Sequence, residues 1–113
     1  MGLPLQDLAD EIGLTVEATK RLLEKFLEVT RQDIEELKIA AGEGDFTRMR
    51  EIAHHIKGAA VNMNLIELKT AAEKIEAAAG SIEEQTKTAE LLGDIEKSFA
   101  RVRALLDTDN GKI

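Results

Sequence analysis

At 113 residues the chain has room for one domain, since two would each be too small to bury a sound core. Hydrophobic residues at 43% and charged residues at 33% exclude a disordered polypeptide, and a single proline with three phenylalanines as the only aromatics excludes an ordinary all-β domain. Fifteen basic against twenty-two acidic residues give a net charge of −7, which repels a phosphate backbone; with no Tyr or Trp to stack on bases, unaided nucleic-acid binding is excluded.

Cysteine is absent, so disulfides, thiolate metal sites and Cys nucleophiles are ruled out. The N-terminal stretch carries no basic segment and no apolar run of signal-peptide length. No stretch approaches the roughly 20 apolar residues of a membrane span. Met1-Gly2 resembles the start of a myristoylation site, but Gln6 stands where Ser or Thr is wanted. The expected location is cytoplasmic.

Five helical segments are predicted. The first, over 5–12, is short and stops at Gly13, a residue suited to a left-handed cap. Thr15 is placed to cap the second, with Glu17 in its first turn. That helix runs to about Ala41, with Leu23, Phe26, Thr30, Ile34, Leu37 and Ala41 on one stripe. Gly42-Glu43-Gly44 ends it, and Asp45 caps the third helix. The apolar face of the third is Phe46, Met49, Ile52, Ala53, Ile56, Ala60 and Met63.

Asn64 and Glu67 read as a capping box that opens the fourth helix, whose stripe is Leu65, Leu68, Ala72, Ile75 and Ala79. Gly80 stops it. Ser81 with Glu84 reads as another capping box, opening a fifth helix to about Leu106 through Ala89, Leu92, Ile95, Phe99 and Val102. Gly93 inside that helix costs about 1 kcal/mol against Ala unless a close contact requires it. Residues 107–113 form a polar tail expected to fray. Amphipathic helices joined by short loops predict an all-α fold: an antiparallel up-and-down four-helix bundle over 15–106, with 5–12 as a short extra helix capping one end, all in one domain spanning 1–113.

A bundle by itself says nothing about chemistry. The informative residues are on the third helix. With His54 set at zero and 100° per residue, the apolar stripe occupies roughly 140–280°, so His54 points away from the core. Thr47 and Arg50 precede it on the exposed face; Lys57, Gly58 and Val61 follow. His55 falls at the edge of the stripe, beside Glu51.

An exposed histidine on a charged helix ordinarily has no task. Here three neighbours argue otherwise. Gly58, four residues on, costs about 1 kcal/mol within a helix and leaves the imidazole open to a bulky partner. Lys57 is a compact cation suited to an added phosphoryl group. Val61 exposes an apolar side chain on the same face, as a docking surface would. A neutral imidazole is nucleophilic toward phosphorus without an auxiliary base. No GxxxxGK[ST] loop and no kinase signature is present, so the chain is suited to receiving and passing on a phosphoryl group and not to taking one from ATP.

The run Ala53-His54-His55-Ile56-Lys57-Gly58 resembles the A-H-x-[LI]-K-G signature of histidine-containing phosphotransfer (HPt) domains. The similarity continues through Leu65 and Leu68 to Ile75-Glu76, where the family has a Leu-Glu pair. It implies that His54 is the phosphoacceptor, modified on Nε2, that Lys57 neutralises charge and that Gly58 gives access. His55 occupies the variable position. Thr47, Arg50 and Val61 are the expected docking residues. The implied partners are response-regulator receiver domains, which bring Mg²⁺, and a hybrid sensor histidine kinase; the chain itself would bind no cofactor or metal and act as a monomer and a relay intermediate, not an enzyme. One departure is Asn64 where the family has Gly at the turn, and Asn is the non-glycine residue that best tolerates a left-handed conformation.

Two rivals follow from the same residues. Glu51 and His54 have the Glu-x-x-His spacing of di-iron bundles, but no second such pair exists and His54-His55 diverge by 100°. An HPt-like scaffold that docks receivers without carrying phosphate would have lost His54, Lys57 or Gly58, and all are present.

Overall fold

The computed structural model describes the backbone of residues 5–111 and the side chains of 5–106. Among the described residues there are five α-helices: α1 (Leu5–Ile12), α2 (Val16–Glu43), α3 (Phe46–Asn62), α4 (Ile66–Ala79) and α5 (Thr88–Gly111), with a 3-10 turn at Ile82–Lys87 between α4 and α5. No strand occurs among the described residues. Each of α2 to α5 packs on its neighbour in sequence, and α5 closes the ring against α2. The result is a four-helix bundle, with α1 laid against α2 and α5. Its extents of 46 × 24 × 22 Å match the length of α2, about 42 Å at 1.5 Å per residue.

The apolar stripes meet along the bundle axis. Leu23, Leu37, Met49, Ile56, Leu68, Ile75 and Ile95 are all but sealed from solvent, and α1 adds Leu8 and Ala9. The α4 stripe is buried throughout, as its spacing predicts. On α2 the buried set also includes Leu27 and Ala40, while Ala41 is half-buried. Cross-helix pairs fix the antiparallel sense. Arg48 meets Glu36 and His55 meets Asp33, so α3 climbs as α2 descends.

Helix ends largely follow the predicted caps. Thr15 Oγ1 accepts from the Ala18 amide at 3.0 Å, and Asp45 Oδ1 from the Arg48 amide at 3.1 Å. At the end of α2, Gly44 takes φ +71°, and the amide of Asp45 bonds the Ala40 carbonyl at 2.9 Å. This is a Schellman closure, in which the left-handed residue folds the chain back onto the last free carbonyls.

The structure corrects the sequence at three places. Asn64 does not cap α4. It stands at φ +57° and closes α3 in the same Schellman manner, its amide on Val61 and that of Leu65 on Ala60. Leu65 is the N-cap of α4 and offers no side-chain bond, whereas Glu67 pairs with Arg101. The Asn64 side chain donates instead to Glu11 of α1. Asparagine was therefore selected by the C-terminus of α3, not by the N-terminus of α4.

The Ser81 capping box does not form either. Ser81 precedes the 3-10 turn without a side-chain bond, and only its carbonyl accepts, from the Glu84 amide. Two β-branched residues in this segment, Ile82 and Thr86, weaken a full α-helix, and Thr88 at the head of α5 donates its Oγ1 to the Gln85 carbonyl at 2.6 Å. The α-helix thus begins six residues later than the capping box implied, and Ala89 is exposed. Finally, α5 continues past Leu106 to Gly111, where a frayed tail was expected; Lys112 and Ile113 lie outside the described residues.

Candidate functional site

The core contacts of α3 decide which way its histidines face. Ala53 and Ile56 are sealed in the bundle, and Met49 and Ala60 hold the turns on either side. The flanking positions are thereby turned outward. His54 leaves 68% of its side chain exposed and lies toward α4. Lys57, one turn on, lies along the same boundary at 27% exposure.

Both meet one carboxylate. Glu76, on α4 and 25% exposed, places Oε2 at 2.8 Å from His54 Nδ1 and Oε1 at 2.9 Å from Lys57 Nζ. The hydrogen bond from Lys57, and then that from His54, hold the Glu76 carboxyl below its ordinary range despite partial burial. Glu76 is accordingly ionised at neutral pH, and an ionised carboxylate can only accept. The proton on the imidazole must therefore reside on Nδ1. That leaves the Nε2 lone pair free on the outward side, where a nucleophile belongs.

The other predicted residues surround this triad. Gly58 is exposed, and a methyl group added to it would meet nothing within 4 Å. No internal packing demands a glycine there, so what the missing side chain frees is space in front of the helix. Thr47 and Arg50 are exposed, and Val61 is 52% exposed. The Arg50 guanidinium reaches toward Gly80, with Nη1 at 3.7 Å from where a Cβ would stand on that residue. It thus sits near the C-terminal carbonyls of α4, a favourable place for a cation. A shallow hollow is lined by His54, His55, Gly58, Ala59, Val61 and Asn62. Among the described residues no group of three or more His, Asp or Glu is arranged to hold a metal ion.

Sequence reasoning missed Glu76 as a member of the site, although Ile75-Glu76 was noted for its resemblance. A usable signal existed. Two antiparallel helices folded back at residues 63–65 bring position 54 opposite the mid-seventies, which narrows the acidic candidates to Glu73 and Glu76. It also missed a second pair of the same kind. His55 Nδ1 lies 2.7 Å from Asp33 Oδ2, with His55 62% and Asp33 20% exposed.

No curated protein and no solved structure matches this chain. A family model described as Hpt domain matches residues 21–107, from the second turn of α2 into the last turns of α5. That match covers all four bundle helices, the His54–Glu76–Lys57 cluster and well over half of the 113 residues, and the chain belongs to the Hpt domain family.

Proposed function

We propose that the chain is a phosphorelay intermediate that accepts a phosphoryl group on His54 Nε2 from the aspartyl phosphate of one receiver domain and passes it to another. Histidine phosphotransfer within phosphorelays is what Hpt domains do in general. The observation that carries the assignment to His54 is the Glu76 carboxylate between His54 Nδ1 and Lys57 Nζ.

The chemistry balances without help from a base on this chain. The Nε2 lone pair attacks phosphorus, the bond from phosphorus to the aspartyl oxygen breaks, and the receiver's carboxylate leaves with the electron pair. The Nδ1 proton stays on the ring, where Glu76 stabilises the positive charge that the imidazole gains. Lys57, held one turn away, offsets the charge of the arriving phosphoryl group. The receiver brings Mg²⁺ and its own carboxylates. Gly58 leaves room for that partner, and Thr47, Arg50 and Val61 form the docking face. The reverse sequence returns the group to a second receiver.

Partners on this reading are response-regulator receivers and a hybrid sensor kinase, met by a monomer in the cytoplasm. No described helix is long and apolar enough to cross a membrane. The chain carries no nucleotide loop, so it transfers phosphate but does not draw it from ATP.

Mixing the protein with a phosphorylated receiver tests the proposal. The wild type should acquire an acid-labile, base-stable label, and His54→Gln should lose it on the wild-type time scale. A His54→Gln protein labelled as fast as the wild type would remove His54 from the role.

A further inference from the structure

The second histidine repeats the geometry of the first. His55 Nδ1 is 2.7 Å from Asp33 Oδ2, as His54 Nδ1 is 2.8 Å from Glu76 Oε2. The two rings are similarly exposed, at 62% and 68%, and each backing carboxylate is largely covered, at 20% and 25%. Both rings border the same hollow on α3. Gly58 stands three residues after His55 and four after His54, so the space it leaves lies before both. An ionised Asp33 can only accept, which places the His55 proton on Nδ1 and turns a free Nε2 lone pair outward.

We propose that His55, oriented by Asp33, is a second phosphoacceptor on this chain, modified at Nε2. It takes the group from small phosphoryl donors and more slowly from the receiver that serves His54. The reason for the order lies in the cations. Glu76 carries Lys57, whereas the pair described for Asp33 is with His55 alone, and Glu51 sits one turn before His55 as a further negative charge. The proposal shares its chemistry with the reading of His54, but neither residue's labelling depends on the other's.

In the step itself, the His55 Nε2 lone pair attacks the phosphorus of phosphoramidate, whose nitrogen is already protonated as –NH₃⁺ near neutral pH; the phosphorus–nitrogen bond of the donor breaks, and ammonia departs with the electron pair. The Nδ1 proton remains on the ring and shared with Asp33. Asp33 is a positioning residue. Asn at that place can donate to Nδ1 and drive the ring proton onto Nε2, which blocks the nucleophile.

Potassium phosphoramidate is the probe, with phosphate counted by intact mass and located by peptide mapping at alkaline pH. The wild type should carry two phosphates, His54→Gln one on His55, and His55→Gln one on His54. Asp33→Asn should slow the appearance of phosphate on His55 about tenfold, the worth of one charge-assisted hydrogen bond, while His54 in the same molecules keeps its rate. A His54→Gln protein that takes no phosphate while the wild type takes one would overturn the proposal and leave His55–Asp33 as a tie between α2 and α3. Equal slowing at both histidines by Asp33→Asn would overturn it too, because a loosened bundle would then explain the loss. A phosphorylated receiver used in parallel separates the two readings: failure to label the wild type counts against the relay role of His54, and only the phosphoramidate result decides His55.

Discussion

Replacing Glu76 by Gln keeps the shape of the site and removes its charge. In the wild type one carboxylate accepts from two donors, His54 Nδ1 at 2.8 Å and Lys57 Nζ at 2.9 Å. A glutamine amide offers one oxygen, which can serve only one of them well. If the NH₂ end turns to Nδ1 instead, the imidazole proton moves to Nε2 and the lone pair is lost. The Glu76 side chain is three-quarters covered but His54 is mostly exposed, so the bond to the ring is partly screened. A charge-assisted bond in such a setting is worth about 1–2 kcal/mol, which slows transfer about 5- to 30-fold. Single-turnover transfer from a phosphorylated receiver measures the rate, and nitrogen-15 NMR of the imidazole reports which ring nitrogen holds the proton. An unchanged rate in a variant that has demonstrably lost the Nδ1–H tautomer would refute the reasoning, because the tautomer is the route by which Glu76 acts.

The same carboxylate makes a stability prediction. Lys57 first, and His54 second, hold the Glu76 carboxyl below the 4.5 of a free glutamate, so its contribution is fully present above that pH and is lost as pH falls through the lower folded value. Urea unfolding of wild type and Glu76→Gln should therefore differ most near neutrality and converge below pH 4.5, and divergence toward acid would contradict the assignment. Gly58→Ala and Gly93→Ala should each stabilise the bundle by about 1 kcal/mol, since both methyl groups enter open space on a helix. Only the change at Gly58 should slow transfer, and equal transfer rates would show that no partner occupies that space. Asn64→Ala should cost about 1–2 kcal/mol through the left-handed conformation at φ +57°, while Asn64→Gly should be close to neutral, as thermal melts can establish.

Much of this molecule was legible because α-helical periodicity is a strong signal in an aliphatic sequence. The face of α3 that carries His54, Lys57 and Gly58 followed from the spacing of Met49, Ala53, Ile56 and Ala60 alone. What periodicity supplies is the bearing of each residue from its own helix axis. It does not say which residue on a neighbouring helix stands opposite, and Glu76 and Asp33 were lost for that reason. The turn residues failed differently. Asn64 suits both an N-cap and a left-handed C-terminal closure, and nothing local to Asn64-Leu65-Ile66-Glu67 decides between them. The deciding groups are the carbonyls of Val61 and Ala60 together with Glu11, 53 positions away. At Ser81 the capping pattern was present, but the β-branched residues that follow tipped the segment into a 3-10 turn.

The two histidine–carboxylate pairs have a mechanical side as well. Glu76 pulls on α3 from α4, and Asp33 pulls on it from α2, through adjacent residues whose side chains leave the axis 100° apart. Rolling α3 toward either neighbour slackens one pair only by stretching the other, so the two act as light opposed stays beside the buried Met49, Ala53, Ile56 and Ala60 contacts that fix its azimuth. The line along which Nε2 of His54 faces a visitor is thus set before the visitor arrives. A partner that presses on one flank of the helix works against the stay on the opposite flank.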